Sequence, residues 1–355
     1  MESLIGALVK LTLLLASGQE ATLLFAGDAM MHQAQIDAAK TAAGTYDYTE
    51  CFSEVRPYIS SADFAVVNLE TPVAGGCYSG YPCFNAPDSY VDALRDAGFD
   101  LFLTANNHTL DRRDRGLKRT VALLDSLGLP HLGTYPDSAA RKKAIPMIKD
   151  IKGFKVGFLN YTYGTNGISV TSDAVVDYID EQQIRADVAA TRNAGAEIIA
   201  ACMHWGEEYT LIPVASERRW ADLLTELGVD LIIGGHPHVV QPLETRVNPR
   251  TGRQSLLVYS LGNFISNMKT TDTRGGMCAT VTLSRDSVGN AIVTNPEYSY
   301  VFTVPPSSAN RNFRLYRLDD VPPSWSDKAA AFERNAEQVL QKRNKGVRRA
   351  PYLRE

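Results

Sequence analysis

Thiols are scarce in this 355-residue chain: there are five cysteines, and Cys51, Cys202 and Cys278 lack the spacing of a thiolate metal site. They are expected as small core residues. An excess of one charge is also missing. The 36 basic and 40 acidic residues leave a net charge of −4, so the composition argues against a nucleic-acid partner. The apolar segment "LIGALVKLTLLLA" at 4 to 16 is broken by Lys10 and too short to span a bilayer comfortably. No low-complexity tract or long linker precedes residue 303, where "TVPPSSANRN" changes the composition.

The segment 4 to 16 and the "ASG" after it read as a signal-peptide core and cleavage region, so residues 1 to 19 are expected to be a leader and the protein to be exported to the periplasm or cell envelope. A misassigned start codon and a buried first strand are the alternatives to this favoured reading. No cysteine near the cleavage region could accept a lipid. Cys77 and Cys83, in "GGCYSGYPC", could staple a small loop in an oxidising compartment. Basic residues crowd in "QKRNKGVRRAPYLRE", which carries Lys342, Arg343, Lys345, Arg348, Arg349 and Arg354. That stretch reads as a solvated tail, with a partner or membrane-surface patch as the sharper alternative.

The chain does carry a repeated pattern, in which apolar runs of strand length end in polar clusters. In order they are "TLLFAGDAMMH" (22 to 32), "DFAVVNLETP" (63 to 72), "DLFLTANNHTLD" (100 to 111), "KVGFLNYTYG" (155 to 164), "EIIAACMHWGEEY" (197 to 209), "DLIIGGHPHVV" (230 to 240) and "LLVYSLGNFISN" (256 to 267). Short continuous runs of Val, Ile, Leu and Phe are expected of strands covered on both faces. Amphipathic helices lie between them: Leu117, Val121 and Leu124 recur at helical spacing before Gly128, and Trp220, Leu223, Leu224 and Leu227 before Gly228. Strand–helix alternation predicts an α/β fold with much of its sheet parallel.

In such sheets the carboxyl ends of strands converge on the ligand crevice. Neighbouring strands would therefore collect Asp28, Asn68, Glu70, Asn107, His108, His204, His236 and His238 at one edge. The chain has only six histidines, and four of them end strands in this way. Imidazole, carboxylate and amide oxygen without thiolate suit Zn, Mn or Fe. The pair in "GHPH" can address two ions about 3.5–4 Å apart with a bridging carboxylate, an arrangement that activates water and stabilises displacement at phosphorus. Taken singly, "GD" is a common turn, and "NNH" and "NLE" are weak. Their joint occurrence, each at a strand end, is what points to a site.

The ordered motifs "GDAM", "NLETP", "NNHTLD", "HWGEEY", "GGHPHVVQPLE" and "YSLGNF", from about residue 22 to 267, resemble the poly-gamma-glutamate capsule biosynthesis family (CapA-type), a branch of the calcineurin-like metallophosphoesterase superfamily. The resemblance implies an α/β fold of four layers, an α/β/β/α sandwich, over residues 20–302. Residues 303–355 would form a C-terminal extension with a charged helix in "SDKAAAFERNAEQVLQKRN". It implies two divalent ions. Asp28 and His238 would hold the first, Glu70 would bridge, and Asn107, His204 and His236 would hold the second.

His108 resembles the superfamily's catalytic histidine, which stabilises or protonates a leaving group. Glu208 and Tyr209 match the family's HWG-x-E-Y form, Glu208 as a catalytic candidate and Tyr209, with Glu207, as substrate-facing. There are two departures. Met30 stands where the superfamily's D-x-H motif has histidine, and Asn68 and Glu70 replace G-D-x-x-D. His32 is the substitute ligand if the first strand breaks into a helix there, and Asn68 and Asn263 are further metal or substrate candidates. His131 is expected to play a bland surface or core role, the "FNAP" at 84 to 87 is a candidate lining of the cleft mouth, and "DRRDRG" has two equal readings, cations for an anionic substrate and a solvated helix start.

The expected function is an exported metal-dependent hydrolase acting on a phosphoester, with an amide as the second candidate bond, in making or processing poly-gamma-glutamate or a related envelope polymer. Its partners would be an anionic envelope polymer or a phosphorylated small molecule, and membrane proteins of capsule synthesis. Two other readings are a non-catalytic envelope factor that binds an anionic polymer for export, and a periplasmic nucleotidase or sugar-phosphate phosphatase. Fold alone does not specify the substrate.

Overall fold

A computed structural model describes residues 18–308 and 311–351. The segment 4 to 16 and Arg354 lie outside the described residues. In chain order the elements are β1 (Ala21–Ala29), α1 (Gln33–Ala39), α2 (Arg56–Ile59), β2 (Phe64–Leu69), α3 (Asp88–Ala97), β3 (Leu101–Leu103), α4 (Arg113–Ser126), β4 (His131–Leu132), β5 (Thr134–Tyr135), α5 (Ser138–Ala144), β6 (Met147–Ile151) and β7 (Phe154–Thr162). There follow β8 (Val175–Val176), α6 (Glu181–Asn193), β9 (Ile198–His204), α7 (Ala215–Glu226), β10 (Leu231–Gly235), β11 (Leu243–Val247), β12 (Gln254–Val258), β13 (Asn263–Ile265), β14 (Gly275–Arg285), β15 (Ala291–Val304), β16 (Arg314–Arg317), α8 (Ser326–Arg343) and β17 (Arg348–Arg349).

Two large sheets result. The first runs β16-β15-β14-β1-β2-β3-β4, with β13 also on β1 and β17 on β15, and the second runs β11-β12-β10-β9-β7-β6. Both are mixed: β1 to β4 pair in parallel, as do β7, β9, β10 and β12, while β14 to β16, β6 and β11 pair antiparallel.

Side-chain alternation sorts the layers. On β1, Leu23 and Phe25 enter the core between the sheets while Leu24 and Ala26 face the helices. On β9, Ile198, Ala200 and Cys202 face inward, and Ile199, Ala201 and Met203 pack outward with Ala221 and Leu224 of α7 and Ile184 of α6. Helices α1 to α3 cover the first sheet's outer face, where Ile36, Ile59, Val91 and Leu94 are buried. The architecture is therefore the four-layer α/β/β/α sandwich. Because both faces of each central strand are buried, the strands read as continuous apolar runs.

Two sequence expectations meet their physical setting here. Residue 303 falls inside β15, and the charged helix α8 sends Ala329, Phe332, Ala336 and Leu340 into the inter-sheet core, with Phe332 edge-on to Tyr300 at 5.7 Å. Cys202 lies in the inter-sheet core and Cys51 and Cys278 in the outer one, whereas Cys77 and Cys83 are exposed and unbonded. Among the described residues, no helix is long and apolar enough to cross a membrane.

Candidate metal centre

The first donor is aimed by a bulge. Phe25 pairs with Val66, but Asp28 pairs with Asn68, so three residues of β1 lie against two of β2. Without the extra residue Asp28 would share the outward phase of Leu24 and Ala26; the bulge turns it between the sheets. Gly27 permits the bend, since a Cβ there would lie 2.0 Å from the Gly262 carbonyl oxygen. Asn68, in phase with Phe64 and Val66, donates to Asp28 Oδ1 at 2.8 Å. Its own oxygen accepts from Asn106 (3.2 Å), which also donates to the Leu69 carbonyl (2.9 Å) and so ties the β3 loop to the end of β2.

That loop carries Asn107 and His108. Asn107 Oδ1 stands 2.9 Å from Nε2 of His204, which ends β9 in phase with the inward residues of that strand. His108 turns the other way: its Nδ1 is 2.8 Å from Asp111 Oδ2, which accepts the Phe84 N–H at 2.7 Å, and the Phe84 ring packs edge-on against His108 at 4.4 Å. The imidazole is thus held by a carboxylate on one nitrogen and by a buried ring on its flank.

The second sheet delivers His236 and His238 through "GGHPH". Gly235 lies against the first sheet, and a Cβ there would sit 2.7 Å from Asp28 Oδ1. The His236 N–H donates to Asp28 Oδ2 at 3.1 Å. Both histidines adopt positive φ, 98° and 59°. A non-glycine residue there costs on the order of 1–3 kcal/mol, strain that the surrounding structure holds and that clusters at functional sites. His238 Nδ1 lies 3.0 Å from Asn263 Oδ1 and 3.4 Å from Asp28 Oδ2, while its Nε2 is 3.7 Å from Glu70 Oε1. His204 Nε2 is 3.6 Å from the same Glu70 oxygen. Asp28, Glu70 and His204 form one group of donors that could hold a metal ion, and Glu70, His236 and His238 form another. Glu70 is common to both.

These donors fit a divalent cation. Both carboxylate oxygens of Glu70 and Nδ1 of His236 are buried without a hydrogen-bond partner, a costly state for a carboxylate unless a charge compensates it. Burial, then the charges of Asp28 and Glu208, push the Glu70 carboxyl well above its ordinary range. Burial holds the His204 imidazole down to about 3 and that of His236 to about 2, so both keep free lone pairs. Burial alone would raise Asp28, but hydrogen bonds from His238 and Asn68 and the nearby imidazoles hold it below the usual carboxylate range.

The other candidates are placed around this centre. His32 does stand where the strand gives way to a helix, before α1, but its Nδ1 accepts the Asn267 N–H (3.3 Å) and its ring packs on Phe84 (5.4 Å), and it belongs to neither donor group. Asn68 and Asn263 touch the candidate donors Asp28 and His238 and orient them. Glu207, Glu208 and Tyr209 lie exposed on the loop after β9, close enough that Glu208 raises the Glu70 carboxyl. His131 pairs with Asp125 (3.1 Å) at the sheet edge. Arg112 is engaged with the Phe84 and Cys83 carbonyl oxygens.

Two residues carry more weight than the sequence reading gave them. Tyr163 is half-exposed, and its ring lies 4.5 Å from that of His236 and 6.4 Å from that of His204. It stands at the end of β7, in the strand-ending cluster "KVGFLNYTYG", which was the available signal. Asp111 is the partner of His108, three residues on, in a one-turn spacing that the motif "NNHTLD" contains but does not mark.

A sandwich of two mixed sheets with imidazole, carboxylate and amide donors at their facing strand ends is a metallophosphoesterase-like fold. The fold is similar to that of the Haemophilus influenzae NAD nucleotidase, with a TM-score of 0.50 and 13% identity over 92% of this chain and 57% of that one. The chain belongs to the bacterial capsule synthesis protein family PGA_cap, whose model matches residues 22–268. It is 25% identical to the capsule biosynthesis protein CapA of Bacillus anthracis over 72% of this chain, and spans 62% of that relative's length. It is 26% identical to the PGA biosynthesis protein CapA of Bacillus subtilis over 76% of this chain and 70% of that protein.

Proposed function

We propose that the protein is an exported, metal-dependent hydrolase that cleaves a phosphoester, with an amide as the alternative bond, in the making or processing of an anionic envelope polymer. The observation that carries the reading is Glu70: a fully buried carboxylate with both oxygens unpaired, faced by His204 and His238 from the opposite sheet. Divalent ions at such a centre, two in this reading and Mn, Zn or Fe by the donor set, supply activation of water and neutralise charge developing on the reacting oxygens. The chain's own residues do the rest. Glu70 and Asp28 set the negative charge of the centre, and Asn68 and Asn263 fix the orientation of their neighbours. His108, held by Asp111, is the group placed to protonate a departing oxygen. Tyr163 and Tyr209 flank the entrance and would contact the substrate. Export rests on the apolar segment 4 to 16, and the polymer on the names of the capsule-synthesis relatives.

Met30, in place of a histidine ligand, supports a second reading, in which the centre binds an anionic polymer without turning it over. One experiment separates the two. Protein purified without a His tag is analysed for metal and assayed on an aryl phosphate with added Mn or Zn, beside His204→Ala. Bound divalent metal with turnover that His204→Ala abolishes supports the hydrolase. Bound metal and polymer without turnover overturns it in favour of the binder.

A further inference from the structure

The basic stretch at the end of α8 does not lie free. With the start of α7 and with β11 it closes a cleft of about 360 Å³ that shares no lining residue with the donors of the metal centre. Five cations line it, Arg218, Arg246, Lys342, Arg343 and Lys345, against a single carboxylate, Glu244. The net excess is notable in a chain whose total charge is −4.

Internal pairing uses only part of this charge. Glu244 is shared by Arg246 (2.7 Å) and Lys345 (3.1 Å), and Arg246 also meets Asp222 (2.9 Å). Arg218 spends its guanidinium on the Pro213 carbonyl oxygen. Lys342 and Arg343 are exposed and have no ion-pair partner among the described residues. Three cations therefore remain without an opposite charge. Glu244 is committed to its own two partners: burial would raise its carboxyl, yet the bonds from Arg246 and Lys345 hold it below the ordinary range.

The cleft draws its cations from separate elements, α7, β11 and the end of α8, and it has no exposed ring among its lining residues on which a base could stack. Its one aromatic, Tyr259, is buried and bonded to Arg246 through its hydroxyl (3.2 Å). Single-stranded nucleic acid is recognised through such stacking platforms as well as charge. We propose that this cleft binds an extended polyanion without bases, a chain of carboxylates or phosphates, at a site separate from the metal centre. Long flexible cations at exposed positions suit a ligand recognised by charge density rather than by shape.

The test is a fluorescence-anisotropy titration of the full chain with labelled poly-L-glutamate, labelled polyphosphate and a labelled single-stranded DNA of equal charge. At low salt, one or both of the first two bind, and the tighter one identifies the chemical source. The double variant Lys342→Gln, Arg343→Gln weakens that binding roughly ten-fold, since each exposed cation adds long-range attraction. Added salt removes it. His204→Ala, which alters the metal centre, keeps the polyanion affinity. Should the double variant melt early, Arg218→Gln, on another element, gives the same reading. The proposal is overturned if neither polymer binds, if both cleft variants retain full affinity, if His204→Ala abolishes binding, or if the DNA binds more tightly than either.

Discussion

Asn263 Oδ1 lies 3.0 Å from Nδ1 of His238, and this contact decides which nitrogen of that ring faces the centre. The Asn263 amide nitrogen donates to the Thr273 carbonyl (2.8 Å), so its oxygen is the atom turned to His238. Nδ1 then carries the proton, and Nε2, on the Glu70 side, keeps its lone pair. Asn263→Ala removes the constraint without touching a ligand atom. Metal affinity is expected to fall roughly 10–100-fold, as for other groups that orient ligands. Calorimetric titration of the metal-stripped protein measures it, and an unchanged affinity would show that His238 needs no such support.

His108 and Asp111 are expected to separate chemistry from metal binding. His108→Gln should lower kcat on an aryl phosphate by roughly 10²–10⁴-fold with metal content unchanged. Asp111→Asn acts through His108 and should give a smaller loss, in kcat and not in KM. Metal loss in either variant would place this pair among the ligand-holding residues instead.

Gly235→Ala tests the approach of the two sheets. Its Cβ would meet Asp28 Oδ1 at 2.7 Å, and the backbone behind it already holds Asp28 through the His236 N–H. Overpacking of this kind costs about 1–3 kcal/mol. The expected result is a lower thermal midpoint together with weakened metal binding.

In acid each buried imidazole should cost the metal-free protein stability. His32, His204 and His236 are held neutral when folded, down to about 4, 3 and 2, but take up a proton near 6.5 when unfolded. The unfolded state thus binds more protons below pH 6.5, and stability drains away as the pH falls toward those folded values, by roughly 1.4 kcal/mol per pH unit for each group. Glu70 works in the opposite sense, because its raised carboxyl makes the fold less stable as pH rises above 4.5. Glu217, raised to about 7, Asp177, raised to about 6, and Asp100 and Asp230, also raised, act in the same sense as Glu70 and offset the imidazoles in the whole-protein profile. The imidazole contribution is therefore read by difference: between pH 6.5 and 4.5 chelator-treated protein should lose stability relative to chelator-treated His236→Phe, measured by thermal melting, and parallel profiles would contradict the burial of that ring.

Much of this was legible in the chain because the site sits where strands end. A strand buried on both faces leaves a continuous apolar run, and the polar residue that stops it, such as His204, marks the sheet edge by itself. The order of the motifs groups Asp28, Glu70, Asn107 and His238 from the chain alone. What stayed hidden depends on phase and on contacts between distant segments. The bulge that turns Asp28 inward leaves only a glycine in the sequence, and a glycine has many uses. Tyr163 reads as one more strand aromatic, and the pairing of His108 with Asp111 as an ordinary helix-like spacing. The burial of α8 against the core left little trace because its inward residues, Ala329, Phe332, Ala336 and Leu340, are few among charged ones.

The donors of the centre come from both sheets, Asp28, Glu70 and Asn107 from the first and His204, His236 and His238 from the second, and the two sets meet through two hydrogen bonds, Asn107 with His204 and the His236 N–H to Asp28, and through the close approaches of His204 and His238 to Glu70 and of His238 to Asp28. An ion seated among them would act as a rivet through the seam of the sandwich. A slide of one sheet along the other by even a fraction of an ångström would then register as a change in ligand spacing. The same rivet would carry any mechanical load placed across the seam, making grip on the ion and rigidity of the whole molecule one property.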